Sequence, residues 1–240
     1  MNEINGKWIM EGLSKDDPNC IRSMDELIKY INKVGFLPLF KNSIPGFSVE
    51  EITDKDAWWG ENPLEDPWEW RGRIAEQGEI AYGKLFSKKA GFVSKEWYPV
   101  FCNYRRDGYD FDTRYEEGLA GRKSQLLMEV LEQHNEILSS ELKNSAGFGK
   151  AGEKGFDTGL TTLQMQTYVT VKRFQKKRNK QNEEYGWAVA VYCLPEMVFG
   201  TDYVRSCYSE NPLLSKEKII SKISRHFPNS TSEEIEKFMK

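Results

Sequence analysis

Histidine and cysteine are scarce in this sequence, which has two histidines and four cysteines in 240 residues. The cysteines are scattered and form no Cys-x-x-Cys pair: Cys20, Cys102, Cys193 and Cys207. This spacing predicts neither a zinc site nor a disulfide framework. Neither His134 nor His226 has a Cys, Asp or Glu neighbour at metal-ligand spacing. The sequence therefore predicts no metal and no cofactor.

Long apolar runs and an excess of positive charge are also missing. No stretch approaches the roughly 18 apolar residues of a membrane span, and the N-terminus lacks the basic-then-apolar order of a signal peptide. With unpaired thiols, these absences predict a cytoplasmic protein with no membrane partner. The net charge is −3 and the isoelectric point about 5.7, so any nucleic-acid site is expected to be a confined patch.

Three amphipathic helices are predicted in the second half of the chain. They cover Arg122–His134, Asn135–Ser145 and part of Gly152–Gln164, because apolar residues recur on one helical face in each segment. Helices of this size cannot bury their apolar faces alone, so another element must pack over them.

A hairpin follows these helices. Apolar and polar residues alternate over Tyr168–Arg173 and again over Trp187–Cys193, which predicts two antiparallel strands. The polar run Lys176–Glu184 predicts the turn between them. Three helices closed by a hairpin are typical of a winged helix-turn-helix.

The length of 240 residues suits one large domain or two modest ones. We predict an irregular N-terminal arm (residues 1–20), a Trp-rich α+β half (21–110), a winged helix-turn-helix (115–194) and C-terminal helices (195–240). The predicted fold class is α+β, mostly helical, with the winged helix-turn-helix packed against the Trp-rich half.

Local signals in the rest of the chain fix several element ends. Ser23 and Glu26 fit a capping box, and Asp66-Pro67 is a strong helix start whose helix should end near Gly78. The segment Phe36–Phe40 is short, apolar and broken by proline, which predicts an edge strand. Ser230–Glu233 predicts the cap of a last helix.

Positive charge is concentrated between Arg114 and Lys180. This segment has 12 Lys/Arg and 8 Asp/Glu, while the remainder of the chain carries a net charge of −7. We expect the outward face of the third helix and the hairpin to contact duplex DNA, because cations at a hairpin turn can reach phosphates. The candidates on the helix are Lys154, Thr158, Thr161 and Thr162. The candidates on the hairpin are Lys172, Arg173, Lys176, Lys177, Arg178 and Lys180. The alternative interpretation is that the hairpin turn is a solvated loop whose lysines keep it soluble and bind no DNA.

A tryptophan-rich tract around Trp68, Trp70 and Arg71 allows two interpretations. Aromatic rings beside an arginine could stack on a base and grip its phosphate. They could equally be core tryptophans beside salt-bridged arginines, and the acidic residues of the tract favour core packing.

The sequence over residues 147–152 matches Gly-x-Gly-x-x-Gly. A dinucleotide site needs a strand before this motif inside a βαβ unit, whereas here a predicted helix precedes it. The motif therefore predicts a flexible helix-turn-helix corner.

The chain also resembles a known family. Its Gly-Phe-Leu-Pro-Leu segment at 35–39, the Ile-Pro-Gly-Phe turn at 44–47, Asp-Pro-Trp-Glu-Trp-Arg at 66–71 and Tyr-Gly-Trp at 185–187 are similar to an uncharacterised bacterial family. That family is related to the AlkZ-type winged-helix DNA glycosylases, and the likeness covers about residues 20–240.

The resemblance implies a candidate catalytic pair. The glycosylases use a Gln-apolar-Gln motif against alkylated bases, and this chain has Gln164-Met165-Gln166. If the motif begins a hairpin strand, both glutamines share a face, and we expect that face to point outward. The glutamines are thus weak candidates for catalysis.

Three functions follow from the sequence. The leading one is DNA binding through the third helix and the basic hairpin, with duplex DNA as partner. The alternatives are a base-excision glycosylase or an inactive relative of one, and a protein–protein interaction module. Whether the protein is an enzyme, and its oligomeric state, are left open.

Overall fold

The structure is a computed structural model that describes residues 2–4, 7–150, 152–179 and 181–239. Helices and short antiparallel sheets make up this part of the chain, so the predicted α+β class is confirmed. The strands are β1 (Asn2–Ile4), β2 (Lys7–Ile9), β3 (Phe36–Pro38), β4 (Ile80–Phe86), β5 (Lys89–Ser94), β6 (Ile137–Leu138), β7 (Thr170–Arg178) and β8 (Glu184–Cys193). The helices are α1 (Met24–Val34), α2 (Val49–Ile52), α3 (Pro67–Gln77), α4 (Tyr98–Arg106), α5 (Phe111–Glu116), α6 (Arg122–Leu131), α7 (Ser139–Ser145), α8 (Phe156–Met165), α9 (Pro195–Phe199), α10 (Thr201–Val204), α11 (Pro212–His226) and α12 (Ser232–Met239).

One three-stranded antiparallel sheet lies in the N-terminal half, in the order β3-β5-β4. β3 pairs with β5 alone, with Phe36 opposite Val93. The predicted edge strand is therefore confirmed. An edge tolerates Pro38 because its missing N–H can face away from the ladder.

Two helices of this half begin where the sequence predicts. The Ser23 hydroxyl accepts a hydrogen bond from the Glu26 amide at 3.3 Å, and the Asp66 carboxylate accepts one from the Trp68 amide at 2.8 Å. α3 ends at Gly78, whose φ of 74° is left-handed, a conformation that glycine adopts without strain.

The last helix begins differently from the prediction. Thr231, not Ser230, is the capping residue: the Glu234 amide donates to the Thr231 hydroxyl at 3.1 Å, and the Thr231 amide donates to the Glu234 carboxylate at 2.8 Å. The hydroxyl of Ser230 instead donates to the Phe227 carbonyl at 2.6 Å. The sequence fits two overlapping capping boxes, one starting at Ser230 and one at Thr231. The second one forms, because the Ser230 hydroxyl is bonded to the residue that follows α11.

A second three-stranded sheet has the order β6-β8-β7, and its strands β6 and β8 contact α7. The sequence predicts one helix over Asn135–Ser145, but its start is the strand β6. There Ile137 pairs with Tyr192 and Leu138 with Val191. A strand of two residues has no periodicity of its own, so only its long-range pairing reveals it.

The strands β7 and β8 form the predicted hairpin, but the turn between them has fewer residues than the predicted Lys176–Glu184. β7 continues to Arg178, which pairs with Glu184. The register shifts between Val171 and Arg173 and again between Gln175 and Lys177. These shifts are β-bulges, which bend a strand and increase its twist.

Two further segments differ from the prediction. The N-terminal arm, expected to be irregular, contains the antiparallel pair β1–β2. The sequence over Pro195–Tyr208 also predicts a single helix, but this segment forms two short ones, α9 and α10. Gly200 separates them because its φ of 87° and ψ of 143° lie outside the helical region.

Buried apolar side chains of both halves form one connected cluster. The C-terminal helices contribute to it through Phe227 and Phe238. Phe238 stacks on Phe86 of β4 with ring centroids 5.1 Å apart. Phe47 contacts the rings of Phe227 and Phe238. The C-terminal helices thus pack on the N-terminal half.

Arg106, at the end of α4, joins the two halves and is 1% exposed. Its guanidinium donates to Glu196 at 2.6 Å and to the Tyr208 hydroxyl at 2.9 Å. It also donates to the carbonyl of Thr167 at 2.7 Å, just beyond the end of α8. Burial alone would lower the pKa of Arg106, but neighbouring Cys102, Glu196 and Tyr208 raise it overall. The buried side chain is therefore a cation with its donors engaged.

We predict that Arg106→Met destabilises the protein by roughly 3 kcal/mol, because it leaves Glu196 and the Thr167 carbonyl without their partner. Thermal melting measures the effect. The control is Lys95→Ala, which removes an exposed ion pair with Glu79 and should change stability by less than about 1 kcal/mol. Equal melting of Arg106→Met and wild type would contradict the role assigned to this contact.

Candidate nucleic-acid interface

Helix α8 presents a polar face to solvent. Phe156, Leu160 and Leu163 are buried, and Gly159 lets the helix approach α6, since a Cβ there would lie 3.1 Å from Leu127. The opposite face carries three of the predicted residues: Thr158 and Thr162 are exposed and Thr161 is half-buried. The fourth, Lys154, is exposed in the loop before the helix, because α8 begins only at Phe156.

A groove of about 500 Å³ runs beside this face. Lys84 of β4 and Lys88 of the following turn line its far side. The ammonium of Lys84 lies 3.4 Å from the Thr161 hydroxyl. The sequence-based prediction missed both lysines because they lie about 70 residues before α8. A signal was available: Lys84 is the exposed residue within the otherwise buried strand β4.

Gln164 is buried at 2% exposure in α8, which corrects the expectation that its side chain faces outward. Its side-chain oxygen accepts a hydrogen bond from the backbone amide of Lys84 at 2.9 Å, and its nitrogen donates to the Leu160 carbonyl at 3.4 Å. Gly83 allows this approach, because a Cβ there would lie 3.1 Å from the Gln164 oxygen. Gln164 therefore holds α8 against β4.

Gln166 is the residue that follows α8, and it is half-buried at the end of the groove. The two glutamines do not share a face as in a strand, since Gln164 is helical. The side-chain oxygen of Gln166 is buried and has no hydrogen-bond partner in the described part of the chain. One amide of the candidate pair is thus committed to the fold and the other borders the groove.

Tyr192 of β8 lies behind Gln164. Burial raises the pKa of its hydroxyl to about 12, and a hydrogen bond with Gln164 opposes this rise. The phenol therefore stays protonated at neutral pH.

The cations at the base of the hairpin contact the protein itself. Arg173 forms an ion pair with Glu136 and donates to Gln175 at 3.1 Å. Lys172 donates to the Glu76 carbonyl of α3 at 3.2 Å. Both cations therefore have partners within the fold, and their contact with phosphate stays a prediction.

The cations near the hairpin tip are more available. Lys176 and Arg178 are exposed and Lys177 is half-buried. Arg178 lies 3.6 Å from Glu184 across the strands and donates to Asn182 at 3.1 Å. Lys180 lies outside the residues that the structure describes.

The aromatic residues of α3 divide into a buried and an accessible part. Trp70 is 1% exposed and donates to the Leu64 carbonyl at 2.8 Å, so it has no free face for a base, a correction to that candidate. Trp68 is half-buried, and the Arg71 guanidinium lies 3.5 Å from the centre of its ring. Burial lowers the pKa of Arg71, and the neighbouring Tyr82 and Glu69 oppose this shift.

The glycine-rich segment joins α7 to α8, the position predicted for a helix-turn-helix corner. Gly147 has a φ of 79°, and a Cβ on Gly152 would lie 1.9 Å from the Gly147 carbonyl. The glycines therefore permit a tight backbone crossing. The segment follows a helix rather than a strand, so it lacks the surroundings of a dinucleotide motif.

No group of three or more His, Cys, Asp or Glu side chains among the described residues is placed to hold a metal ion. None of the helices in that part of the chain has the length and apolar character needed to cross a membrane.

Comparisons with known proteins identify the family. The family model described as AlkZ related matches residues 21–240, so the chain belongs to the AlkZ-related family, which confirms the resemblance seen in the sequence. No curated protein matches the chain. Among solved structures, a Streptomyces sahachiroi DNA glycosylase, AlkZ, is similar at 12% identity with a TM-score of 0.47. The match covers 86% of this chain and 52% of that one, so this chain spans about half the length of that protein.

We predict that Gln164→Ala destabilises the protein by about 1–3 kcal/mol, because the Lys84 amide loses its acceptor. Denaturant unfolding measures the change. Thr162→Ala on the exposed face of the same helix is the control and should stay within about 0.5 kcal/mol of wild type. If both variants unfold like wild type, Gln164 does not hold α8 against β4.

Proposed function

We propose that the protein binds duplex DNA through α8 and the β7–β8 hairpin. These elements, together with α6, β6 and α7, form a winged helix-turn-helix in this proposal. The element order of helix, strand, two helices and two strands, with the sheet order β6-β8-β7, supports it. The proposal keeps the predicted division of the chain into an N-terminal arm (1–20), a Trp-rich half (21–110), a winged helix-turn-helix (115–194) and C-terminal helices (195–240).

The observation that carries the proposal is the charge around α8 and the hairpin. Lys84 and Lys88 line one side of the α8 groove, and Lys176, Lys177 and Arg178 lie near the hairpin tip. Cations that neutralise phosphates supply most of the non-specific affinity for DNA. Because the whole chain carries −3, such a local group of cations is the feature that favours a nucleic-acid partner.

The exposed face of α8 would supply the base contacts. Thr158, Thr161 and Thr162 offer hydroxyl and methyl groups, which hydrogen-bond base edges and contact the thymine methyl group. Arg173 and Lys172 would also stabilise the hairpin. A division between positioning contacts and base contacts is general in DNA recognition.

We predict that replacing Lys176, Lys177 and Arg178 together by Ala weakens duplex binding and leaves melting nearly unchanged. Losing three phosphate contacts should reduce the slope of log affinity against log salt by up to about 2.7. Fluorescence anisotropy with a labelled duplex over a range of salt concentrations measures the slope.

The matched control removes three exposed lysines outside this region, Lys29, Lys33 and Lys55, and so changes the net charge equally. It should leave the salt slope unchanged. An identical slope for the hairpin variant and wild type would show that the hairpin tip does not contact the DNA backbone. Duplex binding without salt dependence, or none at all, would favour the protein-interaction alternative.

The second candidate function is base excision at the α8 groove. The unpartnered oxygen of Gln166 favours it, because a polar atom without a partner can bind a ligand. Gln164 weighs against it, since its amide is already bonded to the Lys84 amide and the Leu160 carbonyl. A site that needs two free amides therefore lacks one of them.

We predict that the wild-type protein releases no base from alkylated duplex DNA. Chromatography of the bases freed from methylated DNA makes the measurement, with Gln166→Ala as the control variant. Base release by wild type that is lost in Gln166→Ala would make the glycosylase the leading function.

A further inference from the structure

A second cleft, of about 650 Å³, lies between α3 and the hairpin. Trp68 and Arg71 line it from α3, Phe174 and Lys176 from β7, and Trp187 from β8. Its volume falls within the range of small-ligand pockets, about 300–1,000 Å³. Aromatic rings from two separate elements thus meet around one opening.

One wall of this cleft is an aromatic–guanidinium layer. The Arg71 guanidinium lies 3.5 Å from the Trp68 ring centre and 4.3 Å from that of Phe174. It donates to the carbonyl of Trp68, and the nearby Tyr82 hydroxyl interacts with it electrostatically. Among the described residues, no carboxylate forms an ion pair with Arg71 within 4 Å. The layer therefore brings positive charge to the cleft.

The hairpin side of the layer depends on a close backbone approach. A Cβ on Gly72 would lie 3.1 Å from the Phe174 ring. Glycine at this position thus allows Phe174 to reach α3. The contact places β7 at Phe174 against α3.

Trp187 has the most exposed large apolar side chain in the described chain, at 91%. No other described ring lies in stacking contact with it. Trp187 lies in β8 at the register shift between Gln175 and Lys177 of β7, and its exposed ring lines the cleft. Base stacking on exposed aromatic side chains is a common mode of binding unpaired nucleic acid.

Charge complementarity selects the occupant. Lys176 lines the cleft, and Lys177 and Arg178 follow it along β7, so an anionic backbone can run beside the opening. Glu69 also lines the cleft and is the one acidic side chain among its described lining residues. Planar faces beside cations suit a base attached to a phosphate backbone better than an apolar peptide.

We propose that the cleft between α3 and the hairpin receives an unpaired base of DNA, which stacks on Trp187 while Lys176 contacts the adjoining phosphate. The inference deepens the proposed function and rests on it, because the hairpin must already lie on DNA. The DNA that this cleft would bind is a duplex with a bulged or displaced base.

The test compares three labelled DNAs by fluorescence anisotropy at one salt concentration: a paired duplex, the same duplex with one extra unpaired base, and single-stranded oligothymidine. Wild type should bind the bulged duplex about 5- to 100-fold more tightly than the paired one. Trp187→Ala should abolish this preference and keep paired-duplex affinity within about twofold. Trp187→Phe should retain part of the preference.

Tyr185→Ala is the matched control, since Tyr185 is an exposed aromatic residue of the same strand and does not line the cleft. It should keep the full preference. A second measurement places 2-aminopurine as the unpaired base, whose emission should be quenched by wild type and not by Trp187→Ala.

The outcomes separate this inference from the proposed function. Equal affinity for paired and bulged duplexes, or a preference that survives Trp187→Ala, overturns the cleft proposal and leaves duplex binding intact. A preference lost equally in Tyr185→Ala also overturns it. Failure to bind any of the three DNAs overturns both proposals. Binding of a tryptophan-containing acidic peptide at this cleft in place of DNA would identify a protein-docking site and also overturn the inference.

Discussion

One buried cation, Arg106, joins the two halves beside the apolar core that they share. Arg106 ends a helix of the N-terminal half, and its guanidinium reaches Glu196 and Tyr208 beyond the hairpin and Thr167 beyond α8. Thr167 has a φ of 62°, which is uncommon for a β-branched residue and is sustained here by these bonds. The direction of the chain leaving α8, and so the start of the hairpin, follows from this contact.

Features set by neighbouring residues could be predicted from the sequence. The caps at Ser23 and Asp66, the end of α3 at Gly78 and the edge strand with Pro38 all follow from local chemistry. The hairpin was predictable because alternation extends along both strands. Local signals failed where two of them overlap, as at Ser230 and Thr231, and where a segment is too short for periodicity, as in β6.

Features set by distant residues could not be predicted in this way. Gln164 was expected to face outward, because a buried amide without a partner would cost about 1–3 kcal/mol. Its partner, the Lys84 amide, is 80 residues away, and nothing local marks that pairing. Lys84 and Lys88 could not be predicted as neighbours of α8 for the same reason, since they are distant from it in the sequence. A groove made from two chain segments becomes visible only when the segments are packed.

The same packing decides which charged and polar groups remain for a ligand. Six Lys and Arg residues of the hairpin look alike in the sequence, but Arg173 and Lys172 are bonded to Glu136 and Glu76, while Lys176 remains exposed. Likewise the side-chain amide of Gln164 is hydrogen-bonded within the fold, whereas the side-chain oxygen of Gln166 has no partner among the described residues. A hydrogen bond that holds the fold together would have to break before its group could bind DNA, and leaving a buried partner unpaired costs about 1–3 kcal/mol. The groups that the fold does not use, on α8, at the hairpin tip and in the aromatic cleft, are therefore where binding should be sought.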